Sequence, residues 1–493
     1  MTFVSAPEGQ SAGTLGHYRL LEPIGTGGMG TAVTEPLRFL GVGIPDAIIT
    51  RLAVVQQLAP RPTSAILRYE NQLVEPLEAG RVLTSDYLVT GILQEAGDRL
   101  RISVQVVRTR DGAPVWGNHY DVARSDLLGL QDQVAHAVAE ALQVRMSAAE
   151  RTRLFRRYTE NTGAYELYLK GRAQLSRFTP DDLRAAVDSF EGALRLDRNY
   201  APAYGGLAMA SAAIRLRGAR DSETRAWGER AEQAARTALR LESPLAEAHE
   251  ALAAVSRGVE FDWDRTLEES RLALELNPNL DQPHFYRAAA FHHLGLLDLI
   301  EAELQAAVEV NPTNRIDPLT MRANAALASG DFREAIPLLE DAERVTKNTM
   351  SSSYLGQAYF GAGNVLQAET LLAPMDGNTP GDRRAQAVLA SLLAARRERD
   401  KAMALVRKVL AGKYMDHHVA YSLGAAYGQV GEHAEATRWL TQSVRDGFRC
   451  YPWFRRDQLL DPLRSDAGYQ RLLAELKQSW EANKARYGSR ATS

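Results

Sequence analysis

One cysteine, Cys450, stands in 493 residues. That excludes an internal disulfide and any metal site built from several thiolates, and it fits a reducing compartment. No stretch of about 18 uninterrupted apolar residues occurs, so no membrane-spanning helix is expected. Met1 to Gln10 has neither a basic start nor an apolar run, so no secretory leader is expected. An excess of one charge is missing too. Fifty-eight Lys and Arg face 61 Asp and Glu, a net charge of −3, which gives no reason to expect a nucleic acid or an anionic membrane as partner. Lysine is absent before Lys170, and neither His-Arg-Asp nor Asp-Phe-Gly occurs anywhere. What is present is ordinary for a globular chain, 45% hydrophobic and 24% charged. The length implies several domains, and a cytoplasmic location is expected.

From about Ala246 to Phe448 the chain repeats every 33 to 35 residues, with units starting near Glu247, Asp281, Ile316, Thr349, Arg383 and His417. Each unit reads as two amphipathic helices and a turn. The last has Leu423, Gly424 and Tyr427 on its first helix and Ala436, Leu440 and Ser443 on its second; an earlier unit matches with Leu355, Gly356, Tyr359, Ala368 and Leu372. Small residues fall where antiparallel helices approach, and larger ones fill the space beside them. Two earlier units carry the pattern less regularly: Tyr165, Tyr168, Gly171, Ala186, Phe190 and Ala193, then Tyr204, Gly205, Leu207, Ala231, Ala235 and Ala238 around a polar insertion at Gly218 to Thr224. Pro244, Pro278, Pro312 and Pro380 lie at the hand-over between units, where a helix must stop. This period and pattern resemble the tetratricopeptide repeat (TPR). The resemblance implies a mostly α chain, a right-handed α-α superhelix (solenoid) of about eight repeats over 164–448. A C-terminal capping segment over 449–493 follows, with a cluster at Cys450 to Phe454 and a helix from about Ala467 to Tyr487.

At the other end, His17 to Ile24 leads into Gly25-Thr26-Gly27-Gly28-Met29-Gly30. A strand entering Gly-x-Gly-x-x-Gly resembles the opening of a bacterial serine/threonine protein kinase, where glycines let the backbone fold over the phosphates. The valine that follows the loop in that family sits one residue late, at Val33, and the catalytic groups are missing. Residues 1–36 are therefore expected to be a disordered start plus a remnant of that loop. Gly25, Gly27 and Gly30 are the weak nucleotide-binding candidates, and no residue is expected to be catalytic.

Between these regions the texture is α/β. Gly43 to Leu58 has helical spacing, Ala65 to Tyr69 is a strand candidate, and Pro76 to Leu83 is a short helix. Asp86 to Gln94, Leu100 to Thr109 and Ala113 to Val122 read as strands, the last two joined by Arg110-Asp111-Gly112, and Asp126 to Leu142 as a helix. The runs Asp86 to Gly91, Gly97 to Gln105, Pro114-Val115-Trp116 and Leu130 to Ala135 resemble the TolB-amino-terminal-like domain, over 37–145. In bacterial signalling proteins that domain lies between a kinase, DNA-binding or cyclase module and a TPR array. The family opens with an apolar strand that is reduced here to Thr31 to Leu37. Trp116, His119 and Tyr120 are expected at core and rim. A basic linker helix over 146–163, with Arg151, Arg153, Arg156 and Arg157, is expected to present a solvated face.

Carried over by register, the concave face would present Phe285, His292, Asn324, Gln357, Phe360, Tyr421 and Gln429 to a partner. His292-His293 and His417-His418 raise a metal, but neighbours on a helix point to different sides and the sequence places no third ligand beside them, so none is expected. No cofactor is expected. The expected function is a non-catalytic adaptor or scaffold binding a protein or peptide in signal transduction. The alternatives are a kinase regulatory fragment retaining weak ATP binding, and a sensor whose α/β region takes a small-molecule ligand.

Overall fold

Alternation along strands and small residues between helices account for most of the architecture. The computed structural model describes residues 2–5, 14–15, 18–19, 31–32, 37–70, 75–96, 99–123, 126–217, 222–346, 349–412 and 414–488. The glycines at 25, 27 and 30 lie outside these residues.

The first region has a sheet ordered β1 (Thr2–Ser5), β5 (Tyr87–Ala96), β6 (Arg99–Arg108), β7 (Pro114–Ala123). β5, β6 and β7 form an antiparallel meander, while β1 lies parallel to β5 with Thr2 opposite Thr90. Two-residue strands β2 (Thr14–Leu15) and β3 (Tyr18–Arg19) pair with each other, and β4 (Thr31–Ala32) pairs with the far end of β5. Thr2–Ser5 thus differs from the disorder expected there: the β-forming run Phe3-Val4 covers an edge of β5 that would otherwise leave backbone groups unpaired. β6 is buried at Leu100, Ile102, Val104 and Val106 and open on the alternate side. Its buried face packs on α1 (Leu40–Leu52) and α4 (Leu127–Ala141) through Ile44, Ile48, Val134 and Val138.

The strand expected at Ala65 to Tyr69 is instead a helical turn. α2 (Thr63–Ile66) runs into a 3-10 turn, Leu67–Tyr69. A short apolar run does not distinguish the two by period. Here Pro62 stands at the extended N-cap position, and Ala65 and Ile66 sit in a small core with Ile49, Leu83 and Leu88, below α3 (Pro76–Leu83). Trp116 and Tyr120 are half-buried against the core and His119 is exposed.

The linker helix is shorter than its basic stretch: α5 (Ala148–Leu154) opens on a capping box between Ser147 and Glu150. Beyond it, the described residues form eight helical hairpins. They pair α6 (Thr162–Arg177) with α7 (Pro180–Leu196), α8 (Ala201–Arg217) with α9 (Ser222–Leu241), α10 (Ala246–Val255) with α11 (Trp263–Leu276), and α12 (Gln282–Leu294) with α13 (Ile300–Val310). Then come α14 (Ile316–Ser329) with α15 (Phe332–Thr346), α16 (Thr349–Gly361) with α17 (Val365–Leu372), α18 (Pro380–Ala395) with α19 (Arg399–Leu410), and α20 (His417–Gln429) with α21 (His433–Arg445). Each first helix also packs on the first helix of a neighbouring hairpin. The fold is mostly α, an α-α solenoid preceded by a small α/β region. A Cβ placed on Gly424 would lie 2.7 Å from Leu440 Cγ and 3.1 Å from the Ala436 carbonyl, so α20 and α21 pack closely at this glycine.

Two contacts fix how the array is used. The α/β region docks on its start: α1 meets α6 so closely that a Cβ on Gly43 would reach 2.8 Å from the Leu169 carbonyl, and Arg172 holds Asp46 at 2.6 Å. At the far end, α22 (Tyr451–Arg456), a 3-10 turn at Gln458–Leu463 and α23 (Ala467–Gly488) turn back into the curve. Beyond capping the last hairpin, α23 crosses to the middle of the array. Trp480 Nε1 donates to the Gly295 carbonyl at 2.8 Å, and Arg486 reaches Asp264 on α11.

Candidate functional site

The inner face of the array is built from α12, α14, α16, α18 and α20, and the chain's own C-terminal segment fills much of it. Phe454, Leu460, Leu463 and Tyr469 are completely buried there, with Phe454 against Phe448 at the end of the array. At about 1.5–3 kcal/mol for each fully buried side chain of this size, Phe454, Leu460 and Leu463 alone contribute roughly 4.5–9 kcal/mol. The segment is part of the core of the array.

This placement sorts the seven inner-face residues. Phe285, His292, Asn324 and Tyr421 are buried, so the open groove expected around them is closed by the protein itself. Phe285 belongs to the core with Trp263 and Leu267. The Tyr421 hydroxyl donates to Asp457 at 2.6 Å, and Gln429 donates its amide to the Leu459 carbonyl at 2.8 Å. His292 lies between Phe448 and Trp453; burial, then the charge of Arg384, pushes its imidazole down to about 4, so it is neutral at pH 7. Gln357 and Phe360 remain half-open. They line a cleft of about 50 Å³ with Leu327, Phe332, Trp453 and Arg456, which has room for a few waters or one short side chain. Arg456 donates to the Ser329 carbonyl at 2.6 Å and holds one wall in place.

A second feature concerns the histidines. The end of α12 meets the start of α20, and His293 Nε2 lies 3.0 Å from His417 Nε2. One ring nitrogen each from His293, His417 and His418 all fall within 4.8 Å of one another. The curvature of the array brings a second pair, 124 residues away, against the first, and on α20 both His417 and His418 reach the cluster. No local pattern carries that information. Beside the cluster, burial alone would raise the Asp416 carboxyl; the Arg384 guanidinium at 2.6 Å more than reverses this and holds it well below the usual carboxylate range.

A third feature is a cavity of about 240 Å³ where the α/β region meets the array, lined among others by Arg51, Leu128, Tyr165, Tyr168, Tyr200 and Glu247. Its polar walls come from both sides of the junction. Of the basic residues in the linker, Arg156 pairs with Glu242 and Arg157 with Asp132 at 2.9 Å. Among the described helices, none is long and apolar enough to cross a membrane.

Compared with known proteins, residues 326–392 match the Tetratricopeptide repeat family. The chain is 26% identical over 167 residues to the Putative adenylate cyclase 3 of Rhizobium meliloti (strain 1021), a match that spans 34% of this chain and 28% of that relative's length. Among solved structures, a tetratricopeptide repeat protein from Parabacteroides merdae ATCC 43184 aligns with 65% of this chain and 100% of its own, at 13% identity and a TM-score of 0.32. The human IFIT1 dimer with m7Gppp-AAAA aligns with 64% of this chain and 77% of its own, at 15% identity and a TM-score of 0.41.

Proposed function

We propose that this protein is a non-catalytic TPR scaffold that binds a protein or peptide partner in bacterial, cytoplasmic signalling. The domain division proposed is an N-terminal remnant over 1–36, a TolB-like α/β domain over 37–145, a linker over 146–163, the TPR array over 164–448 and a cap over 449–493. The observation that carries the reading is the half-open cleft at Gln357 and Phe360. It is a small apolar pocket with a polar rim on the inner edge of stacked hairpins, the form in which an aromatic or aliphatic anchor is held. One wall of the cleft, Leu327 to Phe332 and Gln357 to Gly361, falls within the stretch matching the repeat family.

Selection of displayed peptides on the full chain tests this. Enriched peptides should carry one apolar anchor, and Phe360→Ala should weaken them at least about tenfold, a typical loss at an anchoring contact. A folded chain that enriches nothing, or one whose peptides ignore Phe360→Ala, removes the reading. The kinase-fragment alternative is settled by calorimetry, since no heat at millimolar ATP ends it. One observation favours a second reading, in which the 240 Å³ junction cavity takes a compact ligand and makes the scaffold a sensor. Thermal-shift screening of the full chain against small anions and polar metabolites, with Arg51→Ala as control, decides that reading.

A further inference from the structure

The geometry points to a divalent transition-metal site of the zinc class, formed by His293, His417 and His418, at the joint where the array closes on itself. The two Nε2 atoms of His293 and His417 are 3.0 Å apart, and the third ring nitrogen completes a set within 4.8 Å. Two imidazole nitrogens bound tetrahedrally to one ion at roughly 2.0–2.1 Å stand about 3.3 Å apart. The first pair therefore has to move by a few tenths of an ångström, and the third by about 1.5 Å at most.

The surroundings orient the rings. His293 donates its Nδ1 proton to the Ala289 carbonyl at 2.7 Å, which leaves the Nε2 lone pair facing His417. An outer partner of this kind fixes the tautomer of a ligating histidine. The Trp263 ring stacks on His293 at 4.4 Å, and the Phe261 ring stands edge-on to His417 at 4.5 Å. His418 is held by the Tyr354 hydroxyl, 3.2 Å from its Nε2. The nearby positive charge of Arg384 is matched by Asp416 at 2.6 Å, so a cation meets a nearly balanced field. His293 is half-open and gives an entry path.

An all-imidazole set suits Zn²⁺, Co²⁺, Ni²⁺ or Cu²⁺ and disfavours Mg²⁺ and Ca²⁺, which take oxygen donors. Three protein ligands leave the fourth tetrahedral position to water. Binding would tie the C-terminus of α12 to the N-terminus of α20 and pin the curvature of the whole array. This site does not depend on the scaffold reading.

Titration of chelator-stripped full chain with Co²⁺ tests it. One equivalent should give the strong visible bands of a four-coordinate ion, and Zn²⁺ should displace it. His293→Gln should weaken binding by more than about tenfold, the least that even an outer partner contributes. His433→Gln, on α21 beside Asp466 at 3.9 Å, should leave binding unchanged. A weak six-coordinate spectrum, no binding, or equal affinity in folded His293→Gln would overturn the site. Should His293→Gln not fold by circular dichroism, the spectrum and stoichiometry of the unsubstituted chain decide.

Discussion

At the residue scale, the consequential groups are buried carboxyls whose surroundings shift their titration. Glu250 on α10 is one. Burial, then the neighbouring carboxylates of Asp281 and Glu247, push its carboxyl up to about 8. The sign follows from linkage. The folded state holds the proton more tightly than the unfolded state, whose glutamate titrates near 4.5, so stability falls as pH rises from about 4.5 to about 8 and then levels off. Glu250→Gln removes that loss. Urea unfolding should show the variant more stable than the parent at pH 9 by more than about 1 kcal/mol, less than the 1.36 kcal/mol of a single pKa unit. Equal stability at pH 9 would show Glu250 to be solvated. Asp416 has the opposite character. Its depressed carboxyl contributes stability above the unfolded aspartate range that is lost only in strong acid, and it caps α20 by accepting from Val419 N at 2.8 Å.

At the element scale, the hairpins depend on close backbone approach. Ala186, Ala193, Ala307, Ala368 and Ala436 are buried completely, and glycine stands where even alanine is too large. Gly424→Ala would place a methyl 2.7 Å from Leu440 Cγ and 3.1 Å from the Ala436 carbonyl, an overlap relieved only by shifting the Leu440 side chain or a helix. Overpacking of this kind costs about 1–3 kcal/mol, which chemical denaturation should register. An unchanged midpoint would mean that α20 and α21 slide freely. The strands of the sheet and the helices of the array were legible because period and burial agree along them, as at Ile102, Val104 and Val106 on β6. Ala65 to Tyr69 was not, because five residues are too few for a period and Pro62 set the outcome.

At the scale of the whole molecule, the curve of the solenoid is closed by its own tail. Trp263 Nε1 donates to the Gly447 carbonyl at 2.7 Å across 184 residues, and the Arg449 amide donates to the His293 carbonyl at 3.0 Å. Deletion of 449–493 should therefore not open a binding groove. It should uncover Phe448 and the inner face of α12 to α20 and lower the thermal midpoint together with helicity. A truncated chain that keeps its midpoint and gains peptide affinity would show instead that the tail is a removable occupant. Repeat arrays gain stability from neighbour contacts, and here the tail supplies contacts between hairpins that are not neighbours.

The amino-acid sequence by itself determined the hairpins, their number and the meander of β5 to β7, because those depend on contacts within about 35 residues, where spacing and side-chain size act directly. Which inner-face residues stay open, and which histidines meet, was decided only by the tertiary structure. Both depend on superhelical curvature, a small rotation per hairpin that accumulates over the array and brings together residues more than a hundred positions apart.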